Sequence, residues 1–181
     1  MAIVSKLDLG VLLDLDQTLV LTDAIEPLRR KRDWRSVYQS FEKTTLPPGT
    51  RSFIQQITRI ANVGVVTNSP RSYAERLLAY HELDIPVLVA YRDVTNHKPH
   101  PEPLLLAAKR LEIPVHRCVH VGDSATDIEA SVRAGAMTLA VSWGAARAIV
   151  DVRVELVAHS WDEVFQFVRS AAGSQAVGVR L

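Results

Sequence analysis

Short, mostly apolar runs recur along this chain, and longer amphipathic stretches separate them. The runs are Val11-Leu12-Leu13, Val63–Val66, Val87–Val89, Val115–Val121 and Met137–Val141. Runs of this kind read as strands buried on both faces, which in turn requires parallel pairing and helices covering the sheet. The intervening stretches supply those helices. Residues 51–61 place Phe53, Ile54, Ile57 and Ile60 near helical spacing behind the break Pro47-Pro48-Gly49. Residues 71–81 and 101–111 come next, the latter with prolines suited to a first turn. Residues 125–134 make another helix, closed by Gly135. The pattern predicts an α/β fold: a doubly wound, mainly parallel five-stranded sheet in a single domain over residues 1–181. Residues 21–46 do not fit the repeat and read as an insertion with one helix. Asp93 to His100 reads as a polar loop, and the tail as one helix over 161–171 that frays from Gly173.

In an open parallel sheet, ligands bind outside the carboxyl ends of the strands. Asp14, Asp16 and Thr18 come after the first run, and Thr67 and Asn68 after the second. Lys98 lies beyond the third, and the fourth leads into Gly122-Asp123-Ser124-Ala125-Thr126-Asp127. Carboxylates, a lysine and a hydroxyl would therefore converge at one edge. Hard oxygen ligands of this sort suit magnesium, which takes one or two carboxylates together with substrate phosphate and water. Carboxylates alone would repel a phosphate, so a metal and a lysine are needed to offset them.

Taken together, these residues resemble the four motifs of the haloacid dehalogenase superfamily, over about residues 10–144. Asp14-Leu15-Asp16-Gln17-Thr18 is similar to its first motif and Thr67 to the second. Lys98-Pro99 matches the third, and Gly122-Asp123 with Asp127 the fourth, in the family's order. The resemblance implies a Rossmann-like core and a magnesium-dependent phosphatase. Asp14 would attack phosphorus and carry an aspartyl-phosphate, while Asp16 would protonate the leaving oxygen and later deprotonate water. Asp14, the backbone carbonyl of Asp16, and Asp123 would bind Mg2+. Thr18, Thr67, Asn68 and Lys98 would hold the phosphoryl group, with Lys98 also orienting Asp14. Asp127 would hold metal-bound water without touching the metal, or simply place a charge at a helix N-terminus. Gln17 departs from the glycine that many members carry. A dehalogenase is disfavoured by Asp16, and a phosphomutase by the short insertion. A catalytically silent binding domain would require all these motifs to go unused. A phosphate-receiving regulatory domain would carry its acceptor aspartate after the third strand.

In this family a cap is inserted after the first or second motif; here only the first insertion is present, as a small helical cap over about 21–46. Such a cap implies an open site for a phosphorylated small molecule or the phosphate end of a larger substrate, nucleic acid included. A second subunit completing the cover, as a homo-oligomer, is the alternative. The basic run Arg29-Arg30-Lys31-Arg32 would attract an anionic substrate or be a solvated helix face; on a helix, Arg29 and Arg32 would share a side. A formal charge of +1 gives no global reason to expect nucleic acid or an anionic membrane as partner. No apolar run approaches the ~20 residues of a membrane span, and no signal pattern opens the chain, so a cytoplasmic location is expected. Cys118 and His120 read as core residues and Trp143 as packing at the end of the last strand, while His97 and His100 are not expected to be metal ligands.

Overall fold

In a computed structural model, which describes Lys6, residues 8–143 and residues 153–176, the chain forms one parallel sheet with helices on both faces. The strands are β1 (Gly10–Leu13), β2 (Asn62–Val66), β3 (Val87–Val89), β4 (Cys118–Gly122), β5 (Met137–Val141) and β6 (Leu156–Ala158). Their spatial order is β3-β2-β1-β4-β5-β6, and every pairing is parallel. The sheet thus has six strands rather than five. The extra one, β6, has only three residues, too few to show a period of its own, and exists through its register with Leu139 to Val141.

Alternation along the strands sorts the core into two layers. Val11 and Leu13 of β1 join Val63, Val65, Val119 and Val121 on one face. That face is covered by helices α3 (Thr50–Ile60), α4 (Arg71–Tyr80) and α7 (Trp161–Ala176). Leu12, Val66 and Val89 point to the other face, under α5 (Glu102–Leu111) and α6 (Ala125–Ala134). Pro114 begins a single 3-10 turn over Val115–Arg117, so the fourth strand starts at Cys118 instead of Val115. The last helix runs on to Ala176 instead of ending at 171. Fraying expected from Gly173 concerns in part residues 177–181, which lie outside the described residues, as does Gly144.

The insertion is an excursion with a closed neck: Leu21 and Thr45 exchange backbone hydrogen bonds of 2.8 and 3.2 Å at its base. It holds two short helices where one was expected, α1 (Glu26–Arg30) and α2 (Trp34–Gln39). Asp33 separates them by accepting from the Ser36 N–H as an N-cap. α1 buries none of its residues fully, while Val37 and Phe41 further on are buried. Trp34 packs on Tyr73, Phe41 packs on Tyr73 and Tyr80, and the Tyr38 ring lies under Arg76, which seats the insertion on α4.

Strand order reverses between β1 and β4: the chain moves outward to β3 and then returns to the other side of β1. A crevice opens at the carboxyl ends of strands where the order switches. Leu13 stands level with Val65 on one side and Val121 on the other, so the segments leaving these three strands all face one crevice.

Candidate active site

Asp14 leaves β1 at the switch point, its N–H donating to Val121 O at 2.9 Å. Lys98 reaches it from the loop after β3. The Lys98 Nζ donates to Asp14 Oδ1 at 2.6 Å, to Asp127 Oδ1 at 2.6 Å and to Val66 O at 2.9 Å, which uses all three of its donors. The Lys98 and Asp127 side chains are each only 3% exposed. The loop is fixed by Asn68, whose amide takes the Lys98 N–H at 3.1 Å and returns a bond to Lys98 O at 2.9 Å.

Asp127 is set by the start of α6. Ser124 and Asp127 form a capping box: the Ser124 N–H donates to Asp127 Oδ2 at 3.1 Å, and the Asp127 N–H donates to Ser124 Oγ at 3.3 Å. The Ser124 hydroxyl also donates to Asp127 Oδ2. Gly122 makes room for this, since a Cβ there would lie 2.4 Å from Asp127 Cβ.

Three carboxylates thus cluster beside one ammonium that bonds two of them, with oxygens of Asp14, Asp123 and Asp127 all within 4.8 Å of one another. Burial pushes the Asp14 carboxyl well above its ordinary range; Lys98 opposes this and the Asp127 charge adds to it. Burial likewise pushes Asp123 up to about 7, with the Asp127 charge as the next cause. Burial works in the same direction on Asp127 and is the largest effect there, but the Lys98 and His120 charges and the hydrogen bonds from Lys98 and Ser124 together hold that carboxyl below its ordinary range. Lys98 stays charged because its two carboxylates overcome its own desolvation.

This donor set fits a hard divalent cation. Both Asp127 oxygens are committed, to Lys98 and to Ser124. By contrast, Asp14 Oδ2 accepts no hydrogen bond from the described residues, and Asp123 accepts only a long one, from Thr18 Oγ1 at 3.4 Å. A buried carboxyl raised to about 7 is one whose charged form lacks a partner, which a metal would supply.

Asp16 stands apart from the lysine cluster, and four donors hold its carboxylate. Oδ1 accepts from the Thr22 hydroxyl at 3.0 Å and the Tyr73 hydroxyl at 2.7 Å. Oδ2 accepts from Ser69 Oγ at 2.6 Å and Arg29 Nη2 at 2.9 Å. Arg29 Nη1 also lies 2.9 Å from Oδ1, which makes the ion pair two-pronged. The Arg29 guanidinium sits 4.8 Å above the Tyr73 ring.

These groups border a cavity of about 500 Å3 lined by Asp14, Asp16, Gln17, Thr67, Lys98 and Asp123, with Asp23, Glu26, Arg29 and Arg30 from the insertion. Of the residues expected here, Asp14, Asp16, Thr67, Asn68, Lys98, Asp123 and Asp127 all line it. Thr18 does not: it is fully buried behind Asp123. Gln17 stands at φ 64°, a left-handed conformation that explains a glycine preference at this turn, and its buried Oε1 has no partner among the described residues. Arg29 and Arg32 do not share a helix face as expected. α1 ends at Arg30, Arg32 turns to φ 56°, and of the four basic residues Arg29 is the one that bonds Asp16, while Arg30 stays at the rim of the cavity. Ser69, Tyr73 and Thr22 were not legible as site residues. Tyr73 sits on the apolar side of α4, and nothing local marks its hydroxyl as a donor to Asp16. His120 is a core residue as expected, with Nδ1 2.5 Å from Ser131 Oγ and its pKa lowered by burial to about 4. Cys118 is a buried free thiol. Trp143 packs beside Trp161 and donates to Thr18 O at 3.0 Å. His97 stacks on Tyr91, and neither it nor His100 joins a metal-ligating cluster among the described residues. Nor is any described helix long and apolar enough to cross a membrane.

Three comparisons bear on this site. A family model for haloacid dehalogenase-like hydrolases matches residues 11–135. Proteins named phosphoglycolate phosphatase from Salmonella typhi and from Escherichia coli (strain K12) are each 41% identical, over 87 and 86 residues. Those stretches cover 46% and 45% of this chain but only 34% and 33% of the relatives, so the match spans about a third of their length. Among solved structures, a haloacid dehalogenase-like family protein from Streptococcus pneumoniae superposes with a TM-score of 0.75 at 15% identity, covering 88% of this chain and 98% of that one. CbbY from Rhodobacter sphaeroides, solved in complex with phosphate, gives 0.69 at 17% identity, covering 86% and 95%. At such identities these two likenesses speak for the fold.

Proposed function

The chain belongs to the haloacid dehalogenase-like hydrolases, and on that premise we propose that it is a phosphatase hydrolysing a phosphate monoester through an aspartyl-phosphate on Asp14. The observation that carries this reading is the buried Lys98 ammonium, 2.6 Å from Asp14 Oδ1, while the other Asp14 oxygen accepts no hydrogen bond from the described residues. Lys98 fixes the carboxylate and Oδ2 attacks phosphorus, so the P–O bond to Asp14 forms as the bond to the leaving oxygen breaks. Asp16 gives its proton to that leaving oxygen and then takes one from the water that hydrolyses the phosphoenzyme. Thr67 and Lys98 hold phosphoryl oxygens. Asn68 acts through the Lys98 backbone that it clamps, and Asp127 through the Lys98 ammonium. Thr18 acts by orienting Asp123. Magnesium, held by Asp14, the Asp16 backbone carbonyl and Asp123, would neutralise charge around the transferring group.

Residues 21–46 are a short cap on a single hydrolase domain. Their rim carries Asp23 and Glu26 as well as Arg29 and Arg30, so the mouth favours neither sign strongly. A cavity of about 500 Å3 suits a phosphorylated small molecule. The names of the relatives make phosphoglycolate the first compound to try; the phosphate end of a larger substrate is the second. The test is turnover of p-nitrophenyl phosphate with magnesium by the natural protein and by Asp14→Asn. The variant should fold and lose essentially all activity, and the natural protein should trap a 32P label on Asp14 after rapid acid quench. Near-normal turnover by Asp14→Asn would overturn the assignment.

A further inference from the structure

We propose that Arg29 is the positioning residue for Asp16, so that the insertion supplies part of the catalytic geometry and not only a cover. This rests on reading Asp16 as the proton donor to the leaving oxygen. A carboxylate has about four lone-pair sites, and the four hydrogen bonds to Asp16 fill them. Three of those donors are the hydroxyls of Thr22, Ser69 and Tyr73, each of which can rotate and accept instead. Only the guanidinium is a fixed donor. When Asp16 carries a proton, the hydroxyls can turn to accommodate it, while the two-pronged Arg29 contact keeps the carboxyl group in place.

Arg29 is itself closely held. Nη1 donates to Glu26 Oε2 at 3.1 Å and to Thr22 Oγ1 at 3.2 Å, Nη2 donates to Ser69 Oγ at 2.9 Å, and Tyr73 lies beneath the guanidinium. α1 has no fully buried side chain, and Leu28 is its one hydrophobic residue packed against the core cluster. These polar contacts therefore set where α1 lies, and they join the insertion to α4 directly across the proton donor. A residue that merely anchored the insertion could have ended on Glu26 and Ser69. Here both terminal nitrogens close on the Asp16 carboxylate, which still opens on the cavity.

The test uses the full chain with magnesium and compares R29Q and R29K with the natural protein and with K31Q, an exposed neighbour in the same run. The readout is kcat/KM for p-nitrophenyl phosphate, phenyl phosphate and glycerol phosphate, whose leaving groups need progressively more protonation. Because kcat/KM ends at the first irreversible step, it isolates proton donation from the later attack of water. General-acid catalysis is worth roughly 100-fold or more, so misplacing the acid in R29Q should cost about 30-fold on glycerol phosphate and less than about 3-fold on p-nitrophenyl phosphate. R29K keeps the charge without the fork and should fall between, with the same dependence on leaving group; K31Q should match the natural protein. Should R29Q fail to fold, R29K decides the matter. Equal losses across the three substrates, or no loss, would overturn the positioning role while leaving the phosphatase reading intact. A natural protein that hydrolyses no monoester would overturn that reading, and this one with it.

Discussion

Replacing Lys98 by methionine keeps the side chain's length and apolar stem but removes the charge between Asp14 and Asp127. In the natural protein one ammonium satisfies both carboxylates, at 2.6 Å each, in a site where its side chain is 3% exposed. Without it, two carboxylates are left with oxygens within 4.8 Å. At an effective dielectric constant of about 20, two unit charges at that distance repel by roughly 3 kcal/mol, and each also loses its hydrogen bond. Removing one partner from a buried ion pair costs about 3–5 kcal/mol, and Lys98→Met should fall in that range. Adding Asp127→Asn removes one stranded charge and should recover at least about 1 kcal/mol, a coupling expected only of residues in contact. The assay is urea denaturation at pH 7 with chelator present, which keeps metal from replacing the ammonium. A loss below about 1 kcal/mol, or strict additivity of the two substitutions, would refute the view that Lys98 holds the cluster together.

Three further outcomes are expected of the same cluster. Asp123 is raised to about 7 in the fold from an ordinary 3.8, so its contribution to metal-free stability is full below about pH 4 and lost as the pH rises through about 7. Asp123→Asn should flatten that decline in Tm, and magnesium should raise the natural protein's Tm more at pH 8 than at pH 5, where protons hold the ligand oxygens; equal shifts at both would count against Asp123 as a ligand. Gly122→Ala would set a Cβ 2.4 Å from Asp127 Cβ and 2.5 Å from its Cγ, and should destabilise by about 1–3 kcal/mol in urea titrations. A cost under about 0.5 kcal/mol would mean that Asp127 can move aside freely.

The sequence by itself determined the class of fold, and also which residues stand after which strand. Those features are local: an unbroken run such as Val63–Val66 must be buried on both faces, and glycine and proline end the elements around it. Because ligands gather at the carboxyl ends of parallel strands, Asp14, Thr67, Lys98 and Asp123 could be grouped before any coordinates. Tertiary structure alone decided how those residues are used. Asn68 and Thr18 have the chemistry of phosphate ligands, yet one clamps the Lys98 backbone and the other lies behind Asp123. The three residues of β6 form a strand only because β5 offers an edge. Arg29, Ser69 and Tyr73 are separated from Asp16 by 13, 53 and 57 positions. No periodicity links residues so far apart; they are brought together where the insertion is seated on α4, through Arg29 over the Tyr73 ring and through Trp34 and Phe41 against Tyr73 and Tyr80.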